Sequence, residues 1–415
     1  MLAGTQVECQ QADMHDDRPP GFSANPKELH VTAAGSSVLG DLDASIIVPT
    51  FREAENLGHL LPRVSAAMKS TGRTWEILIV DDNSQDGTLD VAAKLVAAGH
   101  PLRLITRVGE RGLSSAVVRG FQEARGRRLV CMDADLSHPP EALPALLATL
   151  DEPGVEFVIG SRYVPGAGTD EAWGVFRWLN SKIATLLARP FTSARDPMAG
   201  FFALPRTVFE RAAALNPIGY KIGLELIVKA RCRTIREIPI HFADRKYGQS
   251  KLSLSEQIRY VQHLKRLADF KFGVFSRFAQ FCAVGASGMA VDLAAYAVLL
   301  GISLPTWLAR AIAIWVAMTW NFALNRHFTF SDGRALSALR QYPRFVLSCS
   351  VGALVSWSLA MGLGRTSLLA PHVYIAAVLG IVAGTLVNFV ASLYWIFRRE
   401  YVTALPPTNA DGPEA

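Results

Sequence analysis

Up to about residue 270, the chain alternates short apolar runs with longer stretches in which apolar residues recur every three to four positions. The short runs have the length of buried strands, and the longer stretches have the spacing of amphipathic helices. Strands are predicted at 45–50, 75–80, 102–106, 129–132, 156–160 and 235–242, and helices at 51–69, 89–98, 113–124, 173–187, 224–231 and 256–270. Because strands and helices in alternation build βαβ units, this part is predicted to be an α/β domain with a mostly parallel sheet.

The pattern changes after residue 275, where long apolar stretches follow one another with few charges between them. They cover 278–300, 307–324, 345–363 and 373–397. About 20 apolar residues are needed to cross the hydrocarbon core of a bilayer. We therefore predict a bundle of four transmembrane helices, with a soluble four-helix bundle as the alternative.

Lysine and arginine residues collect on one side of these stretches. They lie before the first stretch, between the second and third, and after the fourth, whereas the other two connections hold little beyond Arg310 and Arg365. Basic loops remain on the cytoplasmic side of a membrane. The protein is thus predicted to be multi-pass, with the α/β domain and both chain ends in the cytoplasm; in a bacterium the membrane would be the inner one.

The same patterns divide the chain into five parts. Residues 1–43 are polar and aperiodic and are predicted to be a disordered tail. The α/β domain covers 44–253, and 254–274 is amphipathic, as expected at a membrane interface. The transmembrane domain covers 275–400 and a second tail 401–415. A solvated linker helix is the alternative for the amphipathic part.

Composition narrows the class of ligand. Hydrophobic residues make up 50% of the chain, and the formal net charge is +6. A modest positive charge suits anionic lipids and phosphorylated substrates. A nucleic acid partner is not indicated, because the sequence contains no block of basic residues interleaved with aromatic ones. The five cysteines contain no Cys-x-x-Cys motif, which argues against a zinc site or a disulfide framework.

The candidate chemistry lies where the strand predicted at 129–132 ends. Asp133 and Asp135 follow this strand, and Pro139 and Pro140 prevent it from continuing. Ligands of open α/β sheets bind at the carboxyl ends of the strands. Two nearby carboxylates suit Mg²⁺ or Mn²⁺ that holds a diphosphate. For an isolated Asp-x-Asp motif, the alternative is a turn that caps the next helix.

Five motifs in this order make the α/β domain resemble family 2 glycosyltransferases, and among them the polyprenyl- or dolichyl-phosphate mannose synthases. They are IVPTFRE at 47–53, VDDNSQDGT at 80–88, MDADLSHPPE at 132–141, GSRY at 160–163 and RKYGQSKL at 245–252. One such motif is weak, but five in order are specific. Residues 275–400 are similar to the four-span GtrA-like membrane domain, through Val284-Gly285-x-x-Gly288 and WNFALNRHFTF at 320–330.

The resemblance implies a nucleotide-sugar-binding fold of the GT-A type, with site residues in every motif. Residues that would bind the donor are Pro49, Phe51, Glu53, Val80, Asp82, Asp133, Ala134, Asp135, Arg245 and Lys251. The metal ligands would be Asp135, Asp133 and Ser137. The catalytic residues would be Asp135, Arg162 and Arg177, with the arginines on the lipid phosphate. Phe51 stands where the family often has tyrosine, and Ser137 where archaeal relatives use glutamine, so Phe51 lacks a hydroxyl contact and Ser137 is a weaker ligand.

The reaction that the resemblance implies is inverting, metal-dependent transfer of mannose from GDP-mannose to a polyprenyl (dolichyl-type) monophosphate. Because the acceptor oxygen is already anionic, no general base is required. Synthesis of polyprenyl-phosphate glucose from UDP-glucose is one alternative, and a lipid-linked sugar translocase with a regulatory transferase domain is another. Oligomer formation through the transmembrane helices is also possible.

Overall fold

The computed structural model describes residues 29–32, 42–169, 175–216, 218–219, 221–243, 254–331, 336–366 and 372–397. Within α-helices and strands, the side chains of 29–32, 175–178, 254 and 373 are not described. The chain forms two compact units, Met1–Leu267 and Ala268–Ala415.

The described part of the first unit is built on one large sheet. Its strands are β1 (Leu29–Thr32), β2 (Leu42–Thr50), β3 (Trp75–Asp81), β4 (Leu102–Thr106), β5 (Gly126–Cys131), β6 (Phe157–Ser161), β7 (Gly168–Thr169), β8 (Phe202–Pro205), β9 (Ile235–Pro239) and β10 (His241–Phe242). The sheet has the order β1-β4-β3-β2-β5-β8-β6-β9, and β7 pairs separately with β10. Strands β4, β3, β2 and β5 are parallel to their neighbours in this series, whereas β8 is antiparallel to β5 and β6. The predicted α/β fold with a mostly parallel sheet is confirmed.

Helices cover both faces of this sheet, because its central strands are apolar on both sides. The helices are α1 (Ala54–Lys69), α2 (Thr88–Ala97), α3 (Leu113–Glu123), α4 (Leu143–Leu150), α5 (Val175–Ala188), α6 (Arg206–Glu210), α7 (Ile222–Lys229) and α8 (Leu254–Phe272). Ile46 and Val48 of β2 belong to the core cluster that includes the apolar face of α1, and Ile47 belongs to the cluster that includes α3. Close packing of α3 requires Gly120, where a Cβ atom would lie 2.5 Å from Ile47 Cγ2.

Strand β1 lies within the stretch predicted to be a disordered tail, so that prediction is wrong for these four residues. Leu29–Thr32 pairs antiparallel with β4, with Leu29 opposite Thr106. Without this strand, β4 would be an open edge with unpaired backbone groups, which proteins commonly cover.

The described part of the second unit contains four helices that are long and apolar enough to cross a membrane, as predicted. They are α9 (Val274–Gly301), α10 (Thr306–Leu324), α11 (Ala338–Gly364) and α12 (Val373–Ala391). Helix α10 continues into a π-helical turn at Asn325–Thr329, and α12 does so at Ser392–Ile396. Gly288 faces Asn321, and Gly352 faces Asn388, so closely that a Cβ atom on either glycine would collide. Small residues at these crossings allow helices to pack tightly in a membrane.

The first helix pair, α9 and α10, and the second, α11 and α12, share a sequence pattern that recurs at a constant interval. Arg-Phe-x-x-x-Cys-x-Val-Gly-Ala occurs at 277–286 and again at 344–353, and Asn-Phe followed by a distant Phe occurs at 321–330 and 388–397. Phe278 contacts Phe389, and the equivalent residues Phe345 and Phe322 also contact each other, with ring centroids 5.1 and 5.6 Å apart. The equivalent residues Phe330 and Phe397 stack on one another at 5.0 Å. Such reciprocal contacts define a pseudo-twofold relation between the pairs.

Candidate active site

Four of the predicted motifs lie at one edge of the sheet. Strands β2, β3 and β5 are parallel neighbours, and Thr50, Asp81 and Cys131 stand at their carboxyl ends. Strand β6 runs in the same direction as β5, because both pair antiparallel with β8. The motifs at 47–53, 80–88 and 132–141 and the Arg162 motif therefore open on the same side, where ligands of this fold class bind.

The segment after β5 folds into a tight turn around Asp135. Leu136 has a left-handed backbone, with φ 62°, and the Ser137 N–H donates to Asp135 Oδ1 over 3.1 Å. Only 6% of Asp135 is exposed. A side-chain oxygen that accepts the N–H two positions later favours such a turn, so the turn alternative holds locally for this motif. It does not exclude a ligand role, because the second carboxylate oxygen is not used in this bond.

The residues of this turn fit a hard divalent cation. The Ser137 side chain is fully buried, and its Oγ has no hydrogen-bond partner among the described residues. Gly200 leaves room beside Asp133, since a Cβ atom there would lie 2.8 Å from Asp133 Oδ2. In the described part of the chain, no three His, Cys, Asp or Glu side chains cluster as a metal site. Mg²⁺ is commonly bound by one or two carboxylates and completes its coordination shell with substrate phosphates and water. Two carboxylates and a hydroxyl are therefore enough protein ligands for such an ion.

The His138 side chain packs against this turn and is bonded to its main chain. Its side chain is buried, stacks on Phe201 with ring centroids 5.3 Å apart, and meets Phe242 edge-on. The Asp133 N–H donates to His138 Nδ1 over 3.2 Å, so the ring carries its proton on Nε2 when neutral. His138 thus fixes the main chain at Asp133.

Arg162 is held by a carboxylate that sequence reasoning did not single out as a site residue. Its Nε and Nη2 donate to the two oxygens of Asp196, each over 2.8 Å, and its backbone N–H also donates to Asp196. Asp196 is fully buried. Burial lowers the pKa of Arg162, but the two side-chain hydrogen bonds to Asp196 and the negative charge of Asp196 outweigh this effect. The pKa of Arg162 therefore lies above its ordinary value. A bidentate pair fixes the guanidinium plane, which orients Arg162 rigidly.

Lys221 is a second cation at this edge that sequence reasoning missed. It stands directly before α7, and its Nζ donates to the Met198 carbonyl over 3.4 Å. Burial and then the positive charge of Arg162 lower the pKa of Lys221 to about 8, although Asp196 and Asp133 act in the opposite direction. These interactions bring Asp133, Arg162, Asp196 and Lys221 into one electrostatic cluster. No motif includes Lys221, so nothing in the sequence singles it out.

Asp82 pairs with a buried arginine. Arg107 Nε and Nη2 both donate to Asp82 Oδ1, and the Gly112 N–H donates to Oδ2 over 2.8 Å. Arg107 also donates to the Gly112 carbonyl and to Ser115 Oγ. Only 2% of Arg107 is exposed. Asp82 therefore anchors the loop between β4 and α3, a role not predicted from its motif.

The neighbouring aspartates fix the loops and helix starts. Asp81 accepts hydrogen bonds from Thr50 Oγ1 and Ser84 Oγ. Asp86 accepts from Thr88 at the start of α2 and from the Ala54 N–H at the start of α1. Burial raises the pKa of Asp86, but these hydrogen bonds outweigh it and hold the pKa below its ordinary value.

The predicted base-binding residues lie around Phe51. Arg111 lies over the Phe51 ring, with its Cζ 4.9 Å from the ring centroid, and Arg52 lies 5.2 Å away. Glu53 accepts a hydrogen bond from Asn56 of α1. Pro49 is paired with Val80 across β2 and β3. The Val80 side chain packs in the core beneath Gly120, so only its main chain could contact a nucleoside.

Three predicted residues are beyond what the structure describes. Arg245 and Lys251 lie in 244–253, outside the described residues. Arg177 lies in α5, but its side chain is not described. Ala134 is buried between the two aspartates.

The fold and this site define the class of protein. Residues 45–212 match Glycosyl transferase family 2, and residues 280–397 match the GtrA/DPMS transmembrane domain. The chain belongs to glycosyltransferase family 2, carries a GtrA-type membrane domain, and is a glycosyltransferase.

Three relatives within that class are named dolichol-phosphate mannosyltransferase. A dolichol-phosphate mannosyltransferase of Pyrococcus furiosus is 37% identical over 357 residues, which cover 84% of this chain and 97% of the relative. Proteins of the same name from Mycosarcoma maydis and Saccharomyces cerevisiae are 46% and 44% identical. These two matches cover 58% and 56% of this chain, and 84% and 89% of the relatives.

Among solved structures, mannosyl-3-phosphoglycerate synthase from Rubrobacter xylanophilus aligns with a TM-score of 0.43 and 22% identity. The alignment covers 56% of this chain and 75% of that protein.

Proposed function

We propose that this protein transfers mannose from GDP-mannose to a polyprenyl (dolichyl-type) monophosphate and inverts the anomeric centre. The observation that carries the proposal is the likeness to the Pyrococcus furiosus dolichol-phosphate mannosyltransferase, which extends over 97% of that relative. A lipid acceptor also gives a reason for the four apolar helices, since a polyprenyl chain requires hydrocarbon. In this proposal the catalytic unit and both chain ends are cytoplasmic.

The site performs electrostatic work in this proposal. The attacking oxygen of a lipid phosphate is anionic, so the enzyme needs no carboxylate to remove a proton. It must instead bring two anionic substrates together and stabilise the departing diphosphate. Asp135, Asp133 and Ser137 would hold Mg²⁺ or Mn²⁺ at the diphosphate, and this cation would accept the negative charge that develops there.

Arginine side chains would position the acceptor. Asp196 holds the planar Arg162 guanidinium in one orientation and favours its charge, and a fixed guanidinium suits a phosphate. Arg177 would be the second ligand of that phosphate, and Arg245 and Lys251 would hold the donor phosphates. Phe51 would stack on the base, while Pro49, Glu53, Asp82 and the Val80 main chain would shape the nucleoside pocket.

Donor selectivity of the purified full-length protein tests this proposal. The protein is incubated with a polyprenyl phosphate and either labelled GDP-mannose or labelled UDP-glucose, with Mg²⁺, with Mn²⁺, or with a chelator. We expect label in the lipid fraction from GDP-mannose alone, and none with the chelator. Label from UDP-glucose alone would establish the glucose alternative, and transfer that persists with the chelator would remove the metal from the mechanism.

A further inference from the structure

Glu237 is a carboxylate close to the proposed acceptor site that lies outside all five sequence motifs. It belongs to β9, is half-buried, and stands opposite Ile159 of the parallel strand β6. Its Oε2 accepts the Arg195 N–H over 2.8 Å, and its Oε1 accepts the Asp196 N–H over 2.9 Å. Successive backbone N–H groups can form a small anion-binding concavity, and here the Glu237 carboxylate fills it.

These two hydrogen bonds fix the main chain at the residue that orients the acceptor arginine. Asp196 is fully buried and accepts two hydrogen bonds from the Arg162 guanidinium and one from the Arg162 backbone N–H. A bidentate pair has a narrow geometry, so Asp196 can hold the guanidinium in one orientation only if its own main chain is fixed. Glu237 provides this fixed position and thereby acts on Arg162 through Asp196.

The chain that follows Glu237 also contacts the turn that is proposed to hold the metal. It continues into β10, where the centroid of the Phe242 ring lies 5.2 Å from Arg162 Cζ. The Ala243 N–H then donates to the Ser137 carbonyl over 3.1 Å. The segment 237–243 is therefore bonded at one end to the loop beside the acceptor arginine and at the other end to the metal turn. It sets the spacing between these two parts of the site.

We propose that Glu237 is a positioning residue for the transfer reaction, which keeps the phosphate of the lipid acceptor at a fixed distance from the metal turn. The inference rests on the proposed function, because it requires a lipid phosphate at Arg162. Displacement of a reacting group by about 1 Å can slow a reaction about 100-fold. A residue that fixes this spacing therefore controls the rate without binding either substrate.

Glu156 is bonded in the same way at the opposite end of β6. It directly precedes that five-residue strand and is also half-buried. Its Oε2 accepts the successive backbone N–H groups of Arg233 and Thr234, over 2.5 and 3.3 Å. Arg162 follows β6, so the extended strand separates it from Glu156 by about 20 Å. A purely structural role would be common to both glutamates, whereas a role in acceptor positioning would belong to Glu237 alone.

Binding of a short-chain polyprenyl phosphate to the full-length protein in detergent tests the inference, with calorimetry as the readout and no donor present. Glu237→Gln keeps the size of the side chain but presents one acceptor oxygen instead of two. We expect the Kd of the acceptor, and its KM in the transfer assay, to rise about tenfold, because small displacements already cost this much. The KM of the donor should stay unchanged.

Glu156→Gln is the matched control. It should lower the melting temperature about as much as Glu237→Gln does, because each variant loses the same kind of charge-assisted hydrogen bond. It should leave the Kd and the KM of the acceptor unchanged. Equal acceptor constants for wild type and Glu237→Gln would overturn the inference, and so would an equal rise in both variants.

A double-variant cycle shows whether Glu237 acts through Arg162. Arg162→Lys keeps a cation but removes the planar pair with Asp196. In that background Glu237→Gln should change the Kd of the acceptor less than about twofold, because no oriented guanidinium remains to be displaced. A tenfold change in both backgrounds would contradict a path through Arg162.

Glu237→Asp keeps the charge but shortens its reach, and it replaces Glu237→Gln with the same expected result if the latter does not fold. Failure of the proposed function itself would be seen in the wild type, as absence of acceptor binding or of label in the lipid fraction. Failure of the inference alone would be seen as a wild type that binds and transfers and a Glu237 variant that equals it.

Discussion

Asp135 is the residue on which the proposed chemistry depends most, because it is a buried carboxylate at the edge where the motifs meet. Asp135→Asn keeps the size and the hydrogen bond from Ser137 but removes the charge that would hold a cation. We expect kcat to fall by at least about 100-fold, as for the loss of one group that stabilises transition-state charge. Melting temperature should change little.

Asp90→Asn is the control for this substitution, since Asp90 is an exposed aspartate on α2. It should retain full transfer activity. An Asp135→Asn enzyme with wild-type kcat would show that the metal lies elsewhere.

Lys221 should show opposite effects on stability and on activity. Its pKa of about 8 in the fold lies below the 10.5 of an exposed lysine, so the fold disfavours its charge. Between pH 8 and 10.5 the unfolded chain binds more protons than the folded one, and stability gains from this group as pH rises. Lys221→Met should therefore raise the melting temperature at pH 7, and this advantage should shrink between pH 8 and 10.5.

The same variant should transfer sugar more slowly at pH 7, because a cation is lost beside Arg162. Melting curves and initial rates from pH 6.5 to 10.5 measure both effects. A melting temperature lower than wild type at pH 7 would contradict the assignment of a disfavoured charge.

At the scale of elements, the loop between β4 and α3 is fixed by the pair of Arg107 and Asp82. Asp82→Asn leaves the buried Arg107 charge with only the exposed Glu110, 3.4 Å away, as an ionic partner, and breaking a buried pair typically costs about 3–5 kcal/mol. The double variant Asp82→Leu with Arg107→Met removes both charges and should recover part of that loss. Chemical unfolding of the purified protein measures these differences.

Glu141→Gln is the control for this pair, because the ion pair of Arg63 and Glu141 is exposed. Surface pairs contribute about 0–1 kcal/mol, so this variant should unfold almost as the wild type does. If Asp82→Asn were equally mild, the loop would not depend on the buried pair.

A comparison of the predicted strands with the observed ones shows how much of the fold the sequence alone could predict. Strand β4 was predicted to the residue, since Pro101 and the apolar run fix its limits. One strand was predicted at 235–242, but the chain forms β9 and β10 instead, because it leaves the large sheet after Pro239 and His241 pairs with Gly168. The carboxylates at the ends of β3 and β5 could be predicted from their motifs. Their partners Arg107 and Asp196 could not, because only the folded sheet brings these distant residues together.

At the scale of the whole molecule, the internal repeat of the membrane unit predicts paired mutational effects. Phe322 and Phe389 occupy equivalent positions, and both are buried in one aromatic cluster. Phe322→Ala and Phe389→Ala should lower the melting temperature by similar amounts, since each leaves a comparable cavity. Phe275→Ala, at a site that is 81% exposed, should change it little. Strongly unequal losses at 322 and 389 would argue against equivalence.

The repeat also has a meaning for ancestry. Two stretches of chain that share Arg-Phe, Val-Gly-Ala and Asn-Phe, and that touch each other through the same residues, are what tandem duplication of a shorter gene leaves behind. Phe330 and Phe397, which stack on one another, would then descend from one phenylalanine of the shorter gene.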